Sequence, residues 1–179
     1  MTHNPFVCLR FLTVEDAEFL YELENCPDVC RHTEGGQRPV AREEINAFLK
    51  NHVGATLHLG TQRLVIEVDN GGEQVPVGTV DLTEINTDDR HAEVGIAVLP
   101  AYRRRGVALA ALALTERLAA KMRINTLTAM VATRNSESKA LFRRAGYQPI
   151  GVLPDYHFNG TEWEDMEFFY LKTQAAQTA

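Results

Sequence analysis

The segment Glu93-Val-Gly-Ile-Ala-Val-Leu-Pro-Ala-Tyr-Arg-Arg-Arg-Gly-Val-Ala108 runs from an apolar stretch through three consecutive arginines and a glycine into an Ala- and Leu-rich region. A strand that passes directly into a helix presents the first N–H groups of that helix without intrahelical acceptors, at the positive end of the helix dipole. Phosphates bind at such helix starts. Gly106 lets the backbone come close to a pyrophosphate, Val107 and Ala108 keep the first turn small, and Arg103, Arg104 and Arg105 add positive charge. The string is not a P-loop, which ends in Gly-Lys-Ser/Thr, and it is not the GxGxxG dinucleotide fingerprint. Taken alone, it could also be a helix start with incidental surface arginines.

A second constellation reads Asn135-Ser-Glu-Ser-Lys-Ala-Leu-Phe-Arg-Arg-Ala-Gly-Tyr147. Asn135 or Ser136 suits a helix cap, Leu141 and Phe142 suit its core face, and Gly146 suits the position just past its end. Ser138 then falls in the first turn, and capping plus surface exposure is the plain reading of Asn135 and Ser138.

The elements that must hold these segments follow from periodicity. Val7–Leu12 reads as a strand, Thr13–Asn25 as a helix with an apolar stripe, Cys26–Val40 as a loop with room for a short helical turn, and Arg42–His52 as a second helix. Leu57–Val68, Val75–Ile85 and His91–Leu99 form a meander with turns at Asp69–Gly72 and Asn86–Arg90. Gly106–Arg123 is helical, Asn125–Ala132 a strand, Ser136–Ala145 a helix, and Tyr147–Leu153 and Trp163–Leu171 two last strands around a turn at Asn159–Gly160. Thr173–Ala179 reads as a frayed tail. This order implies an α/β chain with a mixed, mostly antiparallel sheet of about seven strands and about four flanking helices. The 179 residues suit one domain, with its core over about 7–172.

Composition excludes several classes. Hydrophobic residues make up 45% and charged residues 23%, ordinary for a globular chain. No apolar run approaches a membrane span, and Met1–Phe11 lacks the basic and apolar stretches of a signal peptide, so a cytoplasmic location is expected. Cys8, Cys26 and Cys30 are too few and too oddly spaced for a disulfide framework or a zinc site, and the scattered histidines form no ligand pattern; no metal is expected. The net charge is −6, unevenly spread: residues 1–90 hold 7 Lys and Arg against 16 Asp and Glu, whereas residues 91–179 hold 11 against 8. That balance disfavours a nucleic-acid surface.

Together the two segments resemble the GNAT superfamily of acetyltransferases. Its acetyl-CoA motif, Arg/Gln-x-x-Gly-x-Gly/Ala, is matched by Arg103, Gly106 and Ala108. Its later N-x-x-S/A-x-x-L-F/Y-x-x-x-G-F/Y helix is matched at Asn135, Ser138, Leu141, Phe142, Gly146 and Tyr147. The early L-R-F-L-T-x-x-D-A segment, the H-A-E-V-G-I strand and the ending G-V-L-P-D-Y…W-E-D-M resemble the Rim-type branch, which holds ribosomal-protein N-terminal acetyltransferases and spermidine acetyltransferases.

The resemblance implies that acetyl-CoA lies between two splayed parallel strands, here His91–Leu99 and Asn125–Ala132. The backbone of Ile96, Ala97 and Val98 would bond the pantetheine amides, the N–H groups of Arg104–Ala108 the pyrophosphate, and Asn135 the pantetheine arm. An amine acceptor must lose a proton, and Glu93 is the best-placed strand carboxylate, with a structural role in the sheet as its alternative. Many members carry a tyrosine acid seven residues after the helix asparagine; this chain has Phe142 there, which cannot donate. Ser138, a serine as in Rim-type members lacking the tyrosine, is then expected to protonate or hydrogen-bond the leaving thiolate, with Tyr147 as fallback. The expected reaction is acetyl transfer to a primary amine, a peptide N-terminus or a polyamine-like small amine. A non-catalytic acyl-CoA sensor is the alternative. Trp163, Phe168 and Phe169 read as core or dimer contacts, and a homodimer is compatible with the sequence.

Overall fold

The computed structural model describes residues 6–30, 39–53 and 60–174. Seven strands form one sheet: β1 Val7–Phe11, β2 Gln62–Asp69, β3 Gln74–Asn86, β4 His91–Val98, β5 Thr126–Ala132, β6 Gln148–Phe158 and β7 Trp163–Lys172. Their order is β1-β2-β3-β4-β5-β7-β6, and every neighbouring pair is antiparallel except β4 with β5. The helices are α1 Ala17–Glu24, α2 Pro27–Cys30, α3 Arg42–His52, α4 Val107–Lys121 and α5 Ser136–Arg144. The expected mixed α/β architecture is present, with five helices rather than about four. The added one, α2, is the short helical turn inside the Cys26–Val40 loop.

Side chains alternate across each strand, so the sheet has two distinct faces. On one, Ile66, Val80, Leu82, Val94, Leu127 and Phe169 pack against Val107, Ala111 and Leu112 of α4 and Phe142 of α5. On the other, Val65 packs against Leu20 of α1 and Ile45 and Leu49 of α3. α1 and α3 therefore cover that second face at β2. There the polar residues of β3 and β4 look into the space beside α1 and α2.

Two boundaries depart from the sequence reading for identifiable reasons. The segment after Thr13 first forms a 3-10 turn, Val14–Asp16, and becomes α-helical only at Ala17. The Asp16 carboxylate turns back to accept the Thr13 N–H at 2.8 Å and both terminal nitrogens of Arg10 at 2.7 and 2.6 Å, which tightens the first turn. Strand β6 runs on to Phe158 through Pro154, past the Leu153 end expected from the sequence. On an edge strand, the missing proline N–H need not break the ladder. A bulge between Leu153 and His157 absorbs the change of register, and the Asp155 N–H donates to Asp165 Oδ1 at 2.9 Å. The start of the strand read at Leu57 lies partly outside the described residues, as do most of the Cys26–Val40 loop and the end of the tail.

β3 and β4 approach unusually closely at Gly78. A Cβ built there would stand 2.2 Å from the Ala97 carbonyl oxygen, a distance no side chain tolerates. The glycine thus fixes the seat of the β4 stretch Ile96–Val98.

Candidate active site

The parallel pairing of β4 with β5 lasts for three residue pairs: His91 with Thr126, Ala92 with Leu127, and Glu93 with Thr128. Beyond Glu93 the strands part. β4 continues to Val98 bonded to β3 only, so the backbone of Val94–Val98 on its β5 side is left without a strand partner. β5 likewise continues to Ala132 bonded to β7. The opening between them is part of a groove of about 1600 Å³.

The start of α4 closes one end of this groove. Gly106 is its N-cap in the left-handed region, φ 82°, and Arg104 two residues earlier is also left-handed at φ 61°. The first bond into the helix runs from the Ala110 N–H to the Gly106 carbonyl at 3.0 Å. The N–H groups just before it have no carbonyl a turn behind them, as at any helix start, and successive amides in such a bend form an anion-binding concavity. Arg104 is largely exposed, with Glu137 at 3.7 Å, and the Arg105 guanidinium lies 5.7 Å from the Tyr102 ring centre. Arg103 behaves differently. Its Nε donates to the Val98 carbonyl at 2.9 Å and its Nη2 to the Asp28 carbonyl at 3.3 Å, so its guanidinium is committed to the backbone.

Glu93, Ile96, Ala97, Val98, Gly106, Val107, Ala108, Asn135 and Ser138 all line the one groove, although Glu93 and Asn135 are 42 positions apart in the chain. Asn135 caps α5, its side-chain oxygen accepting the Ser138 N–H at 3.1 Å. The cap fixes Ser138 in the first turn, half-buried at the groove wall. Phe142, in the place where a tyrosine donor is common, is buried in the wall and packs against Phe169 with ring centres 6.1 Å apart. Tyr147 does not reach the groove: it is 3% exposed, edge-on to Phe142, and its hydroxyl has no hydrogen-bond partner among the described residues. Burial, reinforced by Glu116, pushes its phenol well above the ordinary range. The fallback role therefore has no geometric support.

The sheet floor on the α1 side carries residues that the sequence reading missed. Register places Arg63, Asp81 and Gly95 in one row across β2, β3 and β4, and Thr83, Glu93 and Thr128 in the next. Arg63 Nε and Nη2 hold both oxygens of Asp81, at 2.6 and 3.1 Å, while its Nη1 reaches Glu24 Oε1 at 2.7 Å. Its burial opposes the charge, but Asp81 and Glu24 outweigh that and hold the guanidinium firmly protonated. The triad keeps one net negative charge. Gly95 ends the row where β4 and β5 part; it is exposed, and a methyl added there would meet only the Asp81 Cβ, at 3.7 Å. The backbone does not demand glycine at this point, so its effect is to leave a clear passage over the floor to the splay. An interior glycine and a paired Arg and Asp on neighbouring strands were the only signals, and they have no meaning without the register. Among the described residues, no group of three His, Cys, Asp or Glu side chains is arranged to hold a metal ion.

Splayed strands, an amide-rich helix start and an adjoining polar floor give this groove the chemistry that a phosphate-bearing cofactor and a neighbouring acceptor require. Residues 7–148 match the acetyltransferase (GNAT) domain family. The chain belongs to the GNAT acetyltransferase family. It is an acetyl-CoA-dependent acyltransferase, and the sensor alternative gives way to an enzyme. The chain is 28% identical over 159 residues to the spermidine N(1)-acetyltransferase of Escherichia coli K12, covering 86% of this chain and 80% of that one. It is 23% identical over 166 residues to an uncharacterized N-acetyltransferase, YoaA, of Bacillus subtilis, covering 92% of each. Its fold is shared with the spermidine N-acetyltransferase of Vibrio cholerae solved with CoA and spermine, at a TM-score of 0.85 and 20% identity over 96% of this chain and 98% of that one. A dodecameric form of the Vibrio enzyme superposes with a TM-score of 0.76 at 21% identity, covering 93% of both chains.

Proposed function

We propose that the protein acetylates the primary amine of a small, cationic, polyamine-like acceptor by direct transfer from acetyl-CoA. The observation that carries this reading is the parting of β4 from β5 after Glu93, beside the bare amides of α4 and one passage away from the net-negative triad.

The residues fit acetyl-CoA. The backbone of Ile96, Ala97 and Val98, on the side that β5 leaves open and with the Val98 carbonyl already taken by Arg103, would take the pantetheine amides as an added strand would, the amides of Arg104–Ala108 would hold the pyrophosphate under the charges of Arg104 and Arg105, and Asn135 would face the pantetheine arm. The thioester supplies the activated acetyl group. Glu93 accepts the proton of the incoming ammonium, directly or through one water, which frees the nitrogen lone pair for attack. An N–H of the splayed β4 stabilises charge on the carbonyl oxygen. As the C–S bond breaks, the Ser138 hydroxyl hydrogen-bonds the departing thiolate, and the second proton lost by the nitrogen on amide formation passes through water to that sulfur.

The acidic first half of the chain supplies α1, α2, β2 and β3, and hence Glu24 and Asp81, while the basic second half supplies the phosphate turn. A cationic acceptor thus enters opposite an anionic cofactor, and the field of the cleft concentrates it. The spermidine acetyltransferase relatives support the same acceptor class. The test is acetyl-CoA turnover on a panel of small mono- and polyamines and peptides with free N-termini, with salt raised from about 0.01 to 0.15 M, which shortens the Debye length from about 30 to 8 Å. The expected result is the highest kcat/KM for a small polyamine, falling as salt rises. Highest kcat/KM for a peptide, or salt-independent kcat/KM on a neutral acceptor, would overturn the acceptor while leaving the transferase in place.

We further propose that residues 1–179 act as one domain in the cytoplasm and that a second copy covers the β6–β7 hairpin. Six of the ten exposed large apolar side chains among the described residues lie there: Ile150, Val152, Leu153, Tyr156, Phe158 and Trp163. No helix among the described residues is long and apolar enough to cross a membrane.

A further inference from the structure

Arg103 belongs to the phosphate-turn motif by sequence, yet its guanidinium spans two backbone carbonyls from distant segments that both line the groove. One is Val98, the last residue of β4, at 2.9 Å; the other is Asp28 in α2, at 3.3 Å and 75 positions away in the chain. The second contact has a local cause. α2 has four residues, and its carbonyls point toward its C-terminal, negative end, which favours a cation. The Arg103 guanidinium brings that cation from elsewhere in the fold. α2 in turn presents Asp28, Val29 and Cys30 to the acceptor half of the groove, and Val29 is only 5% exposed, so the helix is seated in the core rather than resting on it.

We infer that Arg103 is a positioning residue that ties the cofactor turn to the acceptor wall. The residue next to it, Arg104, begins the left-handed bend whose amides face the pyrophosphate. Whatever fixes that bend therefore fixes the backbone of Arg103, and through its guanidinium the height of α2 over the floor. Cofactor and acceptor sites are then coupled, and by linkage each ligand tightens the other by the same factor. The inference rests on a cationic amine acceptor only for its assay, since the coupling would hold for any acceptor entering past α2.

The experiment compares wild type with Arg103→Met, which keeps the side-chain length and removes the donors. Three quantities are read: the Kd of CoA by calorimetry, and the KM and kcat for the best amine of the panel. The expected result is a rise of at least about tenfold in acceptor KM, with the Kd of CoA within about threefold of wild type and kcat changed less than KM. Calorimetric titration of the acceptor with and without CoA should show tightening in wild type and little in the variant. Arg103→Lys, which keeps the charge and can reach one carbonyl but not both, should fall between them; it decides the matter by the same split should Arg103→Met not fold. A tenfold loss of CoA affinity with acceptor KM unchanged would make Arg103 a phosphate ligand and overturn the inference. Equal losses in both, or none in either, would overturn it as well. A wild type that turns over no amine of the panel contradicts the proposed acceptor instead, and the CoA-dependent coupling then has to appear with whichever acceptor replaces it.

Discussion

Gly106 offers the sharpest test of the cofactor turn. Its φ of 82° lies in the left-handed region, where a side chain bearing a β-branch is strongly disfavoured. Gly106→Val would cost about 1–2 kcal/mol if the backbone held its place. The chain can relieve that strain only by rotating the peptide units around position 106. These are the units whose N–H groups precede the first helical bond at Ala110. A hydrogen bond to a charged group contributes about 1.5–3 kcal/mol, so misaiming even one amide costs at least about tenfold in affinity, or about 1.4 kcal/mol. The assay is calorimetric titration with CoA beside Gly71→Val as a control. Gly71 has a similar φ of 74°, lies in the β2–β3 turn, and has nothing within 4 Å of where a Cβ would stand. Both variants should lose thermal stability to a comparable extent, and only Gly106→Val should lose CoA affinity. Unchanged affinity in Gly106→Val, or equal loss in both, refutes the assignment of the pyrophosphate to this turn.

Ser138→Ala should lower kcat by roughly 100-fold while CoA binding is retained, because the Asn135 cap that orders the turn uses the Ser138 backbone N–H and not its hydroxyl; wild-type kcat would reduce Ser138 to a cap neighbour. Asp16 gives a pH signature. Its burial opposes ionisation, but hydrogen bonds from Arg10 and from Thr13 outweigh it and hold the carboxyl below its usual value. The stabilisation is thus complete above the unfolded value near pH 4 and is lost as pH falls through the lower folded value. Denaturant midpoints should therefore drop more steeply in acid for wild type than for Asp16→Asn, which starts lower at pH 7; parallel curves between pH 5 and 2 would rule this out.

Much of the site was legible because its chemistry is local. A glycine that lets the backbone close on a phosphate, a helix start with unpaired amides and an asparagine or serine suited to cap the next helix each need only a few neighbouring residues. Their types and spacing therefore mark a phosphate-accepting helix start without knowledge of the fold, and the family resemblance is what proposes acetyl-CoA for it. Strand and helix order was legible for the same reason, since periods of two and of 3.6 are properties of short segments. What the chain could not disclose on its own were relations across strands. Arg63, Asp81 and Gly95 become a single row only through register, and a shift of one residue would send each to the opposite face. The parting of β4 from β5 after three pairs, the burial of Tyr147 away from the groove and the turning of Arg103 toward α2 were likewise decided by packing between distant segments. Side-chain direction at the phosphate turn depends on which acceptors from distant segments lie within reach, and only the tertiary structure brings the Asp28 carbonyl to Arg103.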